Sequence, residues 1–222
     1  MIAALLAWLA ASTAAPLACG AVTRPGIAER GGDGVWRGRA VDLCRAAAAR
    51  ENGPGAPIAF RSYDTLDALK AAPADRLAFL SAGELAAAPE HALEPGPVVA
   101  VERQVLVVPA SSRARAPADL AGGMICFIAG TRAEDALDAW AAATRTPVGR
   151  IAMQEEVEMR DAYQAGKCAA MALDAQEAKA GDRILAPALA ATPILAATPK
   201  TAGERWAATI ASLVPQGEGG KR

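Results

Sequence analysis

The chain has 222 residues, 53% hydrophobic but only 4% aromatic, so its cores must be built from small aliphatic side chains, and its length suits two small domains. With 23 basic and 24 acidic residues it lacks the cationic excess of a polyanion binder, so no nucleic-acid partner is expected. The one histidine, His91, excludes multi-histidine metal sites and confines any Ser-His or Cys-His catalysis to a single residue.

Met1 to Ala11 (MIAALLAWLAA) has the length of a signal-peptide core and is too short to span a bilayer as a helix. Ser12 and Ala14 satisfy a small-x-small rule, so residues 1–14 are expected to be a signal peptide removed before Ala15, leaving a periplasmic chain, with an N-terminal core helix or a lipoprotein acylated at Cys19 as the alternatives. No later segment offers the roughly 18 uninterrupted apolar residues of a membrane span. Leu17 to Thr23 reads as a buried strand ending at Arg24-Pro25-Gly26, and Gly31 to Gly34 reads as a turn. Val41 to Arg50 has apolar residues at helical spacing and stops before Asn52-Gly53-Pro54. Pro57 to Phe60 and Leu77 to Leu80 read as strands, with a helix from Thr65 to Ala71 between them. This alternation predicts a parallel sheet.

Val98 to Val108 is the strongest β signal, long enough to cross between two bodies. After a basic loop, Ser111 to Pro117, Met124 to Ile128 reads as a buried strand, and Ala129-Gly130-Thr131 as the tight turn opening a helix from Ala133 to Ala143. A second helix runs from Gln154 to Ala165, with Glu155, Glu156 and Glu158 on its solvated face. Cys168 to Leu173, Ile184 to Ala186 and Ile194 to Ala197 read as strands, Glu204 to Leu213 as a last helix, and residues 214–222 as a disordered tail. No internal repeat is present. The four cysteines, Cys19, Cys44, Cys126 and Cys168, form no C-x-x-C pair, which excludes zinc knuckles and thioredoxin-type motifs. They allow three disulfide connectivities, or else four buried free thiols.

Several short motifs then stand in a telling order. Cys19-Gly20-Ala21-Val22 is followed by Gly34-x-Trp36-x-Gly38 and by V-D-L-C-R-A at Val41 to Ala46. Next come A-D-L-A-G at Ala118 to Gly122, an apolar strand holding Cys126, and Gly130-Thr131. A-Y-Q-A-G-K-C at Ala162 to Cys168 leads to Asp174, and the last helix carries Trp206. In this order and with these cysteine spacings, the chain from Leu17 to Leu213 resembles the polar amino-acid solute-binding proteins of bacterial ABC importers, especially the general L-amino-acid branch. The resemblance implies an α/β fold of type 2 periplasmic-binding-protein class: two lobes, each a mostly parallel sheet flanked by helices, joined by two crossing strands. Lobe one is expected at 15–100 and 192–213, and lobe two at 101–191. It also implies one bridge per lobe, Cys19–Cys44 and Cys126–Cys168, with Cα separations near 5–6 Å.

In such proteins an amino-acid ligand's carboxylate is held by an arginine of lobe one and by N–H groups at a helix start in lobe two, and its ammonium by an acid of lobe two. Thr131 matches the helix start, where it either offers its N–H and hydroxyl or serves as an ordinary N-cap. Asp174 matches the amine-binding acid, or is a solvated residue opening the next helix. The family's S-R-N-T-T-x-T-L-S-R-D stretch falls on Ala78 to Ala88. There Ser81 stands for a ligand-touching hydroxyl or a plain turn serine, and the carboxylate-binding arginine falls on Ala87 and is lost. Glu84 nearby has the wrong sign, and Arg132 is the expected compensating cation from lobe two. Ile27 stands where the first loop usually packs an aromatic on the ligand and offers a smaller contact, and Tyr63 either supplies the aromatic or is a surface-loop residue. The implied function is periplasmic capture of a small polar, amino-acid-like solute for an inner-membrane ABC permease, by a monomer without cofactor, metal or catalysis. A non-transport accessory on the same fold, binding a partner protein or with altered or no ligand, is the alternative.

Overall fold

The computed structural model describes residues 15–65, 67–68, 77–87, 93–200 and 203–214, and in 203–207 the backbone alone. The expected signal segment 1–14, much of the expected helix from Thr65 to Ala71, His91, the Trp206 side chain and the tail lie outside the described residues.

In the first half of the molecule alternate strand residues enter cores on opposite faces of the sheet, Leu77 and Phe79 one and Ala78 and Leu80 the other. β1 (Leu17–Ala21) places Leu17, Cys19 and Ala21 in one core. It is flanked in parallel by β4 (Ile58–Ser62) and β5 (Leu77–Ser81). A small hairpin, β2 (Glu29–Arg30) with β3 (Trp36–Arg37), leads into α1 (Arg39–Asn52). That helix lays Leu43, Cys44, Ala47 and Ala48 on the core face of the sheet. Small side chains at 47 and 48 let the helix sit close, and Cys44 bonds to Cys19 with their Cα atoms 6.4 Å apart. The opposite face of β1 carries Gly20, and the Tyr63 ring occupies the space that a Cβ there would need. Tyr63 is 3% exposed and belongs to a second, smaller core with Ala78, Leu80 and Ala197. The surface-loop expectation for this tyrosine is therefore corrected: glycine at 20 opens the seat into which the ring folds.

α2 (Ala82–Ala87) follows, then β6 (Leu93–Pro109), a 17-residue strand. It begins five residues before the expected Val98, because Glu94-Pro95-Gly96-Pro97 dilutes the apolar signal of its first turn into the sheet. β11 (Ala190–Pro199) runs antiparallel along β6 from residue 93 to 104. β9 (Ala170–Asp174) and β10 (Asp182–Ile184) pair with the remainder of β6. Gln104 is where the neighbours change, since it faces Ala190 on β11 and Asp174 on β9.

The second half repeats the logic. β7 (Met124–Ile128) lies between β9 and β8 (Gly149–Met153), parallel to both. α3 (Arg132–Thr144) covers one face, packing Ala133 and Leu137 against Leu106, Val108, Ile125 and Phe127. α4 (Glu156–Gln164) covers the other, with Met159, Ala162 and Tyr163 against Val105, Val107, Cys126 and Met171. Cys126 bonds to Cys168, Cα to Cα 5.7 Å. α5 (Gly203–Leu213) returns to the first half and buries Ile210 in its core. The sheet order is β4-β1-β5-β11-β6-β9-β7-β8, with β10 on β6. The architecture is thus α/β, two parallel sheet halves joined through the antiparallel crossing strands β6 and β11. β8 carried no readable apolar run, because alternate residues of this edge strand are exposed and it opens Gly149-Arg150. Among the described residues no helix is long and apolar enough to cross a membrane.

Candidate functional site

A cavity of about 470 Å³ opens beyond the carboxyl ends of β7 and β9, beside the neighbour change on β6. Carboxyl ends of parallel strands are where α/β sheets present binding groups, since loops and helix starts converge there. Lobe-two elements and β6 supply all but one of its lining residues, Pro25 being the exception. Thr131, Arg132 and Asp174, three of the five residues singled out for ligand contact, line it together.

Each is placed by local structure. Thr131 is the extended residue from which α3 starts, but its hydroxyl donates to the Ile128 carbonyl at 2.7 Å and makes no side-chain cap. Glu134 reaches back to accept from the Gly130 N–H at 2.7 Å, which tightens the turn. Asp174 ends β9 and caps a short 3-10 turn, Ala175–Glu177, accepting from the Gln176 N–H at 2.9 Å. It opens a turn, as one expectation held, yet it is only 6% exposed.

A chain of polar contacts links these residues across β6. Gln104 Nε2 donates to Asp174 at 3.1 Å and to Glu102 at 3.2 Å. Glu102 also accepts from two arginines: Arg132 Nε donates to Oε1, the oxygen that Gln104 reaches, at 2.5 Å, and Arg24 Nε donates to Oε2 at 2.9 Å. Arg24 Nη2 also donates to Glu84 at 2.5 Å. Arg24 is 1% exposed, and its backbone is bracketed by reciprocal bonds with Ala28 and by the Thr23 N–H to Asp64 bond. Arg132 Nη2 reaches the Thr23 carbonyl at 3.4 Å, so one guanidinium joins both halves of the molecule.

The remaining two expected residues sit elsewhere. Ser81 stands at the end of β5 and positions Glu84, whose carboxylate accepts from the Ser81 N–H at 2.8 Å. It acts on the network through Glu84 and does not line the cavity. Ile27 is 6% exposed and packs in the first core with Leu43 and Phe79, so it forms no wall of the cavity. The reason is the turn at Gly26, φ +65°, which directs residue 27 inward and brings Gly26 itself against Gln176. Arg24, Glu102, Gln104, Arg160 and Glu177 were not singled out from the sequence. The available signal was Glu-Arg-Gln interrupting an otherwise apolar run on β6.

The far end of the cavity holds Glu156, Arg160 and Glu177. Arg160 donates to Glu156 at 2.5 Å and to the Glu177 carbonyl at 2.7 Å, and Lys179 donates to Glu156 at 2.9 Å. These cations hold the Glu156 carboxyl below its ordinary range, Lys179 contributing most. Asp174 behaves oppositely: burial pushes its pKa up, the charge of Glu102 adds to this, and the Gln176 N–H opposes it. Glu177 is raised by burial and by the neighbouring Asp174 and Glu156. Beneath them burial pushes the Tyr163 hydroxyl up to about 12. Among the described residues no group of three His, Cys, Asp or Glu side chains is arranged to hold a metal ion.

Neither family models nor curated protein sequences match this chain. Solved structures do. One is an ABC-transporter periplasmic binding protein from Brucella ovis with glutathione bound, at 20% identity and TM-score 0.62, covering 88% of this chain. This chain spans 65% of that protein's length. A second is the second substrate-binding domain of an amino-acid ABC transporter from Streptococcus pneumoniae, at 15% identity and TM-score 0.66, covering 89% of this chain and 91% of that one. A third is the GluR0 ligand-binding core in complex with L-glutamate, at 14% identity and TM-score 0.59, covering 91% and 93%. At these identities the likeness shows the fold, and it is the two-lobe type 2 periplasmic-binding-protein fold that the sequence motifs implied.

Proposed function

We propose that this is a periplasmic solute-binding protein of that class, which holds a small polar solute between its lobes for delivery to an inner-membrane ABC permease. The observation that carries the reading is the cavity of about 470 Å³, at the carboxyl ends of two parallel strands and touched from the other lobe by Pro25. That volume suits a small molecule and lies within the usual range for ligand pockets. Solved structures of the same fold hold glutathione, L-glutamate and L-arginine. In this reading lobe one comprises residues 15–100 and 192–213 and lobe two residues 101–191. The open N–H groups where α3 begins at Thr131 receive an acceptor atom of the solute, and Asp174 receives its cationic group. Arg132 and, through Glu84, Ser81 hold the rim, and Ile27 has no ligand role. The protein acts as a monomer, without catalysis, after export and removal of residues 1–14.

A thermal-shift screen of amino acids, amines and small peptides tests the reading. A solute at 100-fold its Kd stabilises the protein by about 2.7 kcal/mol. A saturable shift with one chemical class is expected. No shift with any of them would overturn the solute-binding reading in favour of a partner-binding accessory. Sequencing the N-terminus of the exported protein should return Ala15.

A further inference from the structure

The cavity has a charge balance that its two arginines do not correct. Its lining includes four carboxylates, Glu102, Glu156, Asp174 and Glu177, against two guanidiniums, Arg132 and Arg160. Both guanidiniums are already engaged by the chain itself: Arg132 by Glu102 at 2.5 Å, and Arg160 by Glu156 at 2.5 Å and Asp182 at 3.4 Å. The third arginine near the site, Arg24, is buried on the other oxygen of Glu102 and on Glu84. Glu102 thus does to two guanidiniums at once what a ligand carboxylate would do, and its side chain is 2% exposed.

Asp174 and Glu177 are in the contrary state. Neither forms an ion pair among the described residues, and the bonds to Asp174 come from the neutral donors Gln104 and Gln176. Glu177 accepts from the Asp174 N–H at 3.1 Å. A carboxylate as buried as Asp174 with only neutral partners is costly until a positive charge arrives. Beside it, Ile128, Ala133, Met159 and Leu173 give the cavity an apolar wall suited to a hydrocarbon skeleton. A solute carboxylate entering here would meet surplus negative charge and no uncommitted guanidinium.

We propose that the cavity selects a small organic cation that carries no carboxylate, an amine or guanidine on an aliphatic or heteroaromatic skeleton, and that Glu102 is the residue that sets this preference. The inference rests on the solute-binding reading and deepens it.

Pairs of compounds differing by one carboxylate test it on the unaltered protein: agmatine against arginine, putrescine against ornithine, and histamine against histidine, by isothermal titration. In the pair whose skeleton fits, the decarboxylated member is expected to bind at least about tenfold more tightly, since like-charge juxtaposition is penalised. Glu102→Gln, which releases the Arg132 guanidinium while Arg24 stays on Glu84, is expected to lower that ratio about tenfold or to reverse it. An amino acid binding as well as or better than its amine would overturn the inference while leaving the solute-binding reading intact. So would binding of some other solute class with all six compounds silent, or an unchanged ratio in a folded Glu102→Gln variant. Silence of every solute would remove both. Should Glu102→Gln fail to fold, the ratios in the unaltered protein still decide.

Discussion

On the lobe-one side of the cleft, Arg24 is 1% exposed and its guanidinium ends on Glu102 and Glu84. On the lobe-two side, Asp174 is 6% exposed and its carboxylate meets only neutral donors. The two groups are buried alike and differ in what answers their charge. Desolvating an ion costs several kcal/mol, so a buried charge persists only where a partner is built in or arrives. The lobe-one side holds its partners permanently and so works as structure. The lobe-two side leaves its charge unanswered, as the proposed cation site requires.

The largest test of that contrast is Glu102→Ala. It leaves Arg24 buried with one remaining anion and releases Arg132, and should cost about 3–5 kcal/mol of stability in urea denaturation. A loss below 1 kcal/mol would place Glu102 with the site and not with the framework. Asp174→Asn should do the reverse. It should leave stability at neutral pH unchanged or higher, and weaken a cationic solute by about 1.5–3 kcal/mol, read by titration.

The pH dependence has a defined sign. Native Asp174 and Glu177 titrate above the ordinary carboxylate range because burial disfavours their charge. Between the ordinary and the raised values the native state holds more protons than the unfolded chain. Their contribution to stability is therefore favourable in acid and declines as pH rises through that window, at up to about 1.4 kcal/mol per pH unit for buried Asp174 and much less for exposed Glu177, whose charge solvent screens. Cation binding follows the opposite course and strengthens with rising pH as the two carboxylates ionise. A double variant, Asp174→Asn with Glu177→Gln, should remove both trends, measured by denaturation and titration from acid to neutral pH. The smallest effect belongs to Arg103, which follows Glu102 on the strand but points outward and is exposed. Arg103→Ala should change stability by no more than about 0.5 kcal/mol, and a larger loss would show that charge near the cleft matters regardless of burial.

What could be read from the residues depended on how local each signal was. Continuous apolar runs such as Leu77–Ser81 and Met124–Ile128 dictate strands buried on both faces, and the structure has them. Thr131 and Asp174 were reached through the family resemblance, whose motifs fall at a turn and at a strand end, and both line the cavity. Arg24 and Glu102 were not, because their meaning comes from each other across 78 positions. An arginine in Arg24-Pro25-Gly26 looks like turn punctuation until the fold buries it. Ile27 failed for a related reason: a loop position suggests a cleft wall, but the Gly26 turn carries the side chain into the core. Tyr63 failed because the room for its ring is made by a glycine 43 residues earlier.

The position of β11 in the sheet sets an order of events in the life of the chain. It lies between β5 and β6, so the first half of the sheet is cut off from the crossing strand β6 until residues 190–199 are made. The second half uses residues from the end of β6 to β10, which are consecutive in the chain. Synthesis runs from the N-terminus, so the part begun first is finished last, and the part begun second can be complete before it. A chain interrupted before residue 190 would have every strand of the lobe that holds Asp174, and an unfilled slot where its partner lobe should close.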